Sequence, residues 1–190
     1  MNIKFAALLA AAALSVAACE QQAATPQQAS AVPAADTASA TPADAPSAPQ
    51  TLTSSDNAVS ISVTGNFQDQ LGGNALPEGA EAGTILQQYD ENTDITLTVV
   101  DAGKPVKPAK EYYANLKTAL EQAGFASLKA GAATENRMDY SFTDAEGNNH
   151  NCINIYSPDN LYAVCAFSSS ADNATLAETL KDVKLLKKAM

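Results

Sequence analysis

Histidine, cysteine and tryptophan are scarce in this 190-residue chain, which contains one, three and none of them, respectively. A zinc or copper site needs three or four ligands, and the single histidine, His150, lies in the polar stretch GNNHN, which is typical of a solvated turn. Nucleophilic catalysis needs a base beside a serine, threonine or cysteine, and no second histidine is available for that role. Gly72-Gly73 lacks the lysine of a phosphate-binding loop. We therefore expect no metal, no cofactor and no enzymatic activity.

Positive charge is also scarce. The chain has 11 Lys and Arg against 21 Asp and Glu, which gives a net charge of −10. Residues 57–190, the segment with enough apolar residues to fold, carry 17 acidic and 10 basic side chains. An acidic surface of this kind disfavours nucleic acid and anionic lipid headgroups as partners.

The longest apolar run is residues 5–18, which is shorter than the roughly 20 residues that a transmembrane helix needs. It follows Lys4 and ends in the string LSVAAC, residues 14–19, which resembles a bacterial lipobox. The resemblance implies that residues 1–18 are a lipoprotein signal peptide and that Cys19 carries the acyl chains that anchor the protein. By analogy with enterobacterial lipoproteins, Glu20 favours the outer membrane. The alternative is an ordinary signal peptide whose cleavage site precedes a cysteine.

A tether and one domain follow the anchor. Residues 19–56 are dominated by Ala, Pro, Gln, Ser and Thr. They cannot bury enough apolar area to offset chain entropy, so we expect them to be disordered. Residues 57–190 have a length that suits one domain.

Within that domain, the patterns predict an α+β fold in which helices pack on an antiparallel sheet. Apolar residues alternate around residues 59–63, 85–89, 95–99 and 138–142, which favours strands. Pro108 opens a helix whose apolar face carries Tyr112, Leu116 and Leu120, and Gly124 ends it. A second helix is predicted from residues 170–173 to the C-terminus, with Leu176, Leu180, Val183 and Leu186 on one stripe.

Cys152 and Cys165 are the two cysteines of the domain, and the turn-like residues 157–160 lie between them. A four-residue hairpin loop at that position pairs residues whose numbers sum to 317, so Cys152 faces Cys165 directly. The same register places Ile153 opposite Val164, so the apolar pattern agrees with it. We predict a structural disulfide, which an exported protein can keep. A redox pair would favour Cys-x-x-Cys spacing, and a metal site would lack ligands beyond His150.

The order of these elements resembles that of the DcrB-type lipoproteins of the Mog/PsbP-like fold. The resemblance covers about residues 57–187 and includes the strand VSISVTGNFQDQ, the hairpin TILQQYDENTDITLTVV, the helix AKEYYANLKTALEQAG, and the later segments MDYSFTDAEGN and NLYAVCAF. It implies an α/β/α sandwich, an antiparallel sheet between helices. Members of that family are generally accessory or binding proteins, so the resemblance implies no catalytic residues.

Two tyrosines are candidates for contact with a partner. Tyr113 is adjacent to Tyr112 on the predicted helix, so only one of the two can be central to its core face, and Tyr156 adjoins the cysteine hairpin turn. Either could instead cover the edge of the sheet. We expect a lipid-anchored protein of the cell envelope, on the periplasmic face or the cell surface, that binds another envelope protein. The alternative is a periplasmic lipoprotein that binds a small ligand or metal in a cleft between sheet and helix.

Overall fold

The computed structural model describes residues 49–72 and 80–186. The predicted signal peptide, the lipidation site Cys19 and most of the predicted tether lie outside these residues. The described part contains ten strands and two helices, in this order: β1 Pro49–Thr53, β2 Val59–Thr64, β3 Gln68–Asp69, β4 Thr84–Asp90, β5 Ile95–Asp101, α1 Ala109–Gln122, β6 Ala126–Ala130, β7 Arg137–Thr143, β8 Asn149–Tyr156, β9 Leu161–Ser168, α2 Asn173–Thr179 and β10 Val183–Leu185. None of the helices in these ranges is both long and apolar enough to cross a membrane.

The strands form two antiparallel sheets. The larger sheet has seven strands in the order β3-β4-β5-β9-β8-β7-β6, and the smaller one has the order β1-β2-β10. One face of the larger sheet packs against α2 and the smaller sheet, while α1 packs on the other face. The predicted α+β class, with helices on an antiparallel sheet, is therefore confirmed.

The main core lies between the two sheets and α2. It is largely aliphatic, as expected for a chain without tryptophan, and Val59, Leu97, Val164 and Leu176 in it are completely buried. The apolar residues predicted to alternate in β2 and β5 are all buried, and Ser60 and Val100 between or after them are buried as well. Burying such side chains contributes about 1.5 to 3 kcal/mol each, so this core is the main source of stability.

The domain begins before the predicted boundary at residue 57. Residues 49–53 form β1, which pairs with β2 from Pro49↔Thr64 to Thr53↔Ser60. Its exposed and half-buried residues alternate, with Leu52 packed against the core. An edge strand needs little apolar surface of its own when its neighbour supplies the backbone hydrogen bonds, as β2 does here. A single leucine among polar residues therefore gave no alternating pattern from which this strand could be predicted.

The predicted C-terminal helix is also wrong in part. α2 ends at Thr179, and Val183–Leu185 forms β10, which pairs with β2 through Val183↔Ile61. Leu176, Leu180 and Val183 are buried as expected. The predicted apolar stripe is therefore confirmed as far as Val183, whereas Leu186 is 37% exposed. A short helix followed by a strand buries the first three of these residues as well as one long helix would.

The first helix agrees with its prediction at both ends. Pro108 is the N-cap residue, and Gly124 follows the C-cap with φ of 72°, a left-handed conformation that glycine adopts at little cost. The buried face differs from the predicted one, because Tyr113 and Leu120 are its buried residues while Tyr112 and Leu116 are half-buried.

Candidate functional site

The cysteine hairpin has the predicted register. β8 and β9 pair from Asn149↔Ser168 to Tyr156↔Leu161, and Ile153 lies opposite Val164. Cys152 and Cys165 face each other with their Cα atoms 4.1 Å apart and are joined by a disulfide. The bond lies on the sheet face that carries α1, and it links the central strand β9 to its neighbour β8.

His150 lies within β8, which corrects the expectation of a solvated turn. Its ring is stacked between Phe142, at 4.5 Å between ring centroids, and Phe167, at 5.3 Å. The three residues are direct neighbours across β7, β8 and β9. Phe125 extends the stack on the far side of Phe142, at 4.1 Å. This aromatic stack, Phe125-Phe142-His150-Phe167, crosses the sheet on the same face as the disulfide.

The imidazole of His150 is held by a carboxylate. Its Nε2 lies 2.8 Å from Oδ2 of Asp144, and Asn148 donates to Asp144 from both its backbone and its side-chain nitrogen. Partial burial disfavours the charged carboxylate, but the hydrogen bonds from His150 and Asn148 outweigh it and lower the pKa of Asp144 to about 2. The pair thereby fastens the β7–β8 turn to the aromatic stack.

Among the described residues, the recorded contacts of the His150 ring are with aromatic rings and one carboxylate. No group of three His, Cys, Asp or Glu side chains there could hold a metal ion. Within the same residues, the hydrogen bond recorded for the imidazole goes to Asp144, rather than to a serine, threonine or cysteine that it could activate. Both faces of the imidazole ring and its Nε2 atom are thus engaged by other residues of the domain.

Tyr113 is not available on the surface, which corrects its assignment as a partner contact. Its side chain is 2% exposed, and its hydroxyl donates to the backbone oxygen of Asn154 at 3.2 Å. Burial raises the pKa of Tyr113 to about 12. The residue is a core anchor of α1, because burying a tyrosine is favourable when its hydroxyl finds a partner.

Tyr156 is half-buried and forms an aromatic cluster with Tyr112 and Tyr113, with ring centroids 5.2 to 6.4 Å apart. Its hydroxyl donates to the backbone oxygen of Lys107 at 3.0 Å. The side chain therefore fastens the proline-containing loop before α1 to the cysteine hairpin. Its role as a partner contact remains a prediction.

A cavity of about 350 Å³ lies on the part of this face formed by β4, β5, β8 and β9, and we call it the sheet cavity. Among the described residues, no helix packs over β4 and β5 on this side. The lining includes Glu81 from a loop and, from the four strands, Gln87, Thr98, His150, Cys165 and Phe167. Aromatic rings, an amide, a hydroxyl and a carboxylate thus meet in one concave surface, which is typical of ligand sites.

A second, larger cavity of about 750 Å³ lies between α1 and residues 131–135, and we call it the helix groove. Its apolar lining includes Ala109, Tyr113, Ala114 and Met138. Two lysines of α1, Lys110 and Lys117, and one acid, Glu135, also line it.

Charge is distributed unevenly along the chain. Residues 49–103 and 138–180 contain fourteen acidic residues and no lysine or arginine, whereas residues 104–137 contain six basic and three acidic residues. The positive segment comprises α1, β6 and the connections around them. The helix groove therefore belongs to the positive part of an acidic domain, while the strands that line the sheet cavity come from the acidic part.

Sequence reasoning identified the disulfide but missed the aromatic stack and both cavities. Part of the stack could have been predicted by extending the register of the cysteine hairpin by two residues. The register that pairs Cys152 with Cys165 also pairs His150 with Phe167. The cavities had no local signal, since their walls come from segments far apart in sequence.

No known protein-family profile matches this chain, and no curated protein sequence matches it. Among solved structures, the chain is similar to the solution structure of cyanobacterial PsbP (CyanoP) from Synechocystis sp. PCC 6803. The TM-score is 0.48 and the sequence identity is 11%, over 79% of this chain and 99% of that chain. The predicted relationship to DcrB-type lipoproteins stays a prediction.

Proposed function

We propose that this protein is a lipid-anchored binding module of the bacterial cell envelope, without catalytic activity, and that it binds an envelope protein through the sheet cavity. The lipobox-like string that ends at Cys19 supports the anchor. The disulfide in the domain is compatible with an oxidising compartment.

The observation that carries the proposal is the part of the large sheet over which no helix packs among residues 49–72 and 80–186. His150 and Phe167 are half-buried there, beside the half-buried polar side chains of Gln87 and Thr98. Aromatic and hydrogen-bonding groups that are only half-buried can serve as anchors in interfaces, where a partner completes their burial. The acidic sequence around the cavity favours a partner that presents basic groups.

Site-specific photo-crosslinking in intact cells tests this role. A photoreactive amino acid at Ala82, an exposed position next to Glu81, should give a discrete adduct with one envelope protein. The same amino acid at Ala174, exposed on α2 on the opposite side of the sheet, is the control and should give none. Equal adducts from both positions, or adducts only with abundant lipoproteins, would overturn the assignment.

The anchor is tested separately. Globomycin, which blocks cleavage of lipoprotein precursors, should cause the unprocessed precursor to accumulate, and Cys19→Ala should release the domain from the membrane fraction. Processing that is unaffected by globomycin would favour the ordinary signal peptide. Membrane fractionation and protease treatment of intact cells then test the predicted outer-membrane location and the face that carries the domain.

The helix groove favours a second candidate function, binding of a small ligand. Its volume lies in the range of about 300 to 1,000 Å³ that is usual for ligand sites, and most of its lining is apolar. A thermal-shift screen across amphiphiles and metal ions tests this candidate, because a ligand that binds only the folded state raises the melting temperature.

A further inference from the structure

We propose that the helix groove binds an anionic amphiphile with a single acyl chain, such as a long-chain fatty acid. Its carboxylate would lie at Lys110, and its chain would lie against Tyr113, Ala114 and Met138. The site is independent of the sheet cavity and does not need a protein partner.

The apolar lining provides the surface for the acyl chain. Its exposed apolar surface comes from Ala114 on α1 and from Ala132 and Ala133 opposite. Tyr113 and Met138 also line the groove, but each is only 2% exposed and lies beneath these alanines. Each methylene group that leaves water on such a surface contributes about 0.8 kcal/mol, so even partial coverage of a long chain gives measurable affinity.

The two lysines provide charge complementarity. Lys110 and Lys117 are seven residues apart on α1, which places them on one side of the helix and roughly 10 Å apart along its axis. Lys117 lies 4.0 Å from Glu121, and Glu111 pairs with Lys107. Among the described residues, Lys110 has no acidic partner within the same distance, so its ammonium group is available to the headgroup.

The surrounding sequence supports an anion and not a cation. Residues 104–137, which form the helix wall and the loop wall of the groove, carry six basic and three acidic residues. Glu135 is the acidic residue in the lining, and it opposes an anionic headgroup. The two residues should therefore change the affinity for an anionic ligand in opposite directions. Removing the carboxylate of Glu135 should strengthen binding, and reversing the charge of Lys110 should weaken it.

Calorimetric titration of the purified protein with oleate is the first test, with oleyl alcohol as the uncharged probe of equal length. Oleate should bind more tightly, and its advantage should shrink with added salt, because the headgroup contact is exposed. Lys110→Glu should weaken oleate binding by about tenfold, and Glu135→Gln should strengthen it by about twofold, with little effect of either on oleyl alcohol. The matched control is Lys184→Glu on β10, an exposed lysine outside the groove, which should change nothing.

A second pair of variants tests the location. Ala114→Trp fills the groove and should abolish binding, whereas Ala119→Trp places the same side chain at another exposed position of α1 and should preserve it. In protein labelled at methionine methyl groups, the Met138 signal should shift on addition of oleate. Binding that survives Ala114→Trp, or equal affinity for oleate and oleyl alcohol, would overturn the proposal. So would dimerisation that Ala114→Trp abolishes, because it would assign the groove to a second copy of the chain.

Discussion

The two faces of the seven-stranded sheet differ in how completely they are covered. On the face toward α2 and the smaller sheet, residues such as Leu97, Val164 and Leu176 are 0% exposed and belong to one continuous core. On the other face, the hydrophobic cluster around α1, which we call the α1 cluster, contains three buried residues, Tyr113, Leu120 and Met138, and is otherwise built from half-buried side chains.

The two faces therefore differ in what their residues contribute: one mainly stabilises the fold, and the other carries the sites that we propose for binding. The closed face is largely aliphatic, and its residues pack into the main core. The half-covered face carries the disulfide, the aromatic stack, both cavities proposed as binding sites and the buried Tyr113. A single helix covers less of the sheet than α2 and three further strands do. On the α1 face, the disulfide and side-chain hydrogen bonds therefore supplement a smaller hydrophobic core.

The largest expected effect comes from the closed face. Leu176→Ala should lower the free energy of unfolding by about 3 to 4 kcal/mol, because it removes a completely buried side chain and leaves a cavity. Leu128→Ala, at a half-buried position in the α1 cluster, should cost about 1 to 2 kcal/mol. Urea denaturation of both variants measures the difference. Equal losses would contradict the contrast between the faces.

The disulfide should contribute slightly less. Replacing both Cys152 and Cys165 by Ala should lower the free energy of unfolding by about 3 kcal/mol, because the bond closes a loop with a sequence separation of 13. The wild-type protein in a reducing buffer provides the control and should lose a similar amount. If reduction leaves the denaturation midpoint unchanged, the bond does not stabilise this face.

Asp144→Asn should cost about 1 to 1.5 kcal/mol at neutral pH, because it weakens the charged hydrogen bonds to His150 and Asn148. The pKa of Asp144 is lowered from 3.8 to about 2, so its contribution is complete above pH 3.8 and disappears as the pH falls through about 2. The two proteins should therefore converge in stability in strong acid.

Denaturation midpoints at several pH values, from neutral pH to below the pKa of Asp144, measure this convergence. Asp159→Asn, in the exposed turn of the cysteine hairpin, is the matched control and should remain close to wild type throughout. A stability difference between Asp144→Asn and wild type that is independent of pH would mean that the lost contribution is not due to the carboxylate charge.

The smallest expected effects compare two tyrosines. Tyr113→Phe should cost about 1 kcal/mol, because it leaves the buried backbone oxygen of Asn154 without this donor. Tyr156→Phe removes a more exposed hydrogen bond to Lys107 and should cost about 0.5 kcal/mol. Thermal unfolding of the two variants decides the order. The reverse order would indicate that the loop before α1 depends on Tyr156 more than α1 depends on Tyr113.

Features governed by neighbours in sequence could be predicted. The strand β5 follows from the alternation at Ile95, Leu97 and Val99, because a period of two has one buried face wherever the strand is placed. The end of α1 follows from Gly124, and the register of the cysteine hairpin follows from the length of its loop. Each of these features requires information from fewer than about twenty residues.

Features that depend on distant partners could not be predicted in this way. β1 and β10 lie at opposite ends of the domain sequence, and both are strands because β2 supplies their backbone hydrogen bonds. Val183 fits a helical stripe as well as a strand, so its sequence pattern does not decide between them. Tyr113 and Tyr112 are equally apolar, and the choice of the buried one depends on how α1 is rotated against β7 and β8.

The amino-acid sequence by itself determined the secondary-structure period, the aliphatic character of the core and the pairing of Cys152 with Cys165. The tertiary structure decided which face of the sheet remains half-covered, that His150 lies inside an aromatic stack, and that Lys110 adjoins an apolar groove. The physical reason is the range of the interactions. Turns and alternation act between near neighbours, whereas cavities and buried surfaces arise only where segments far apart in sequence are brought together.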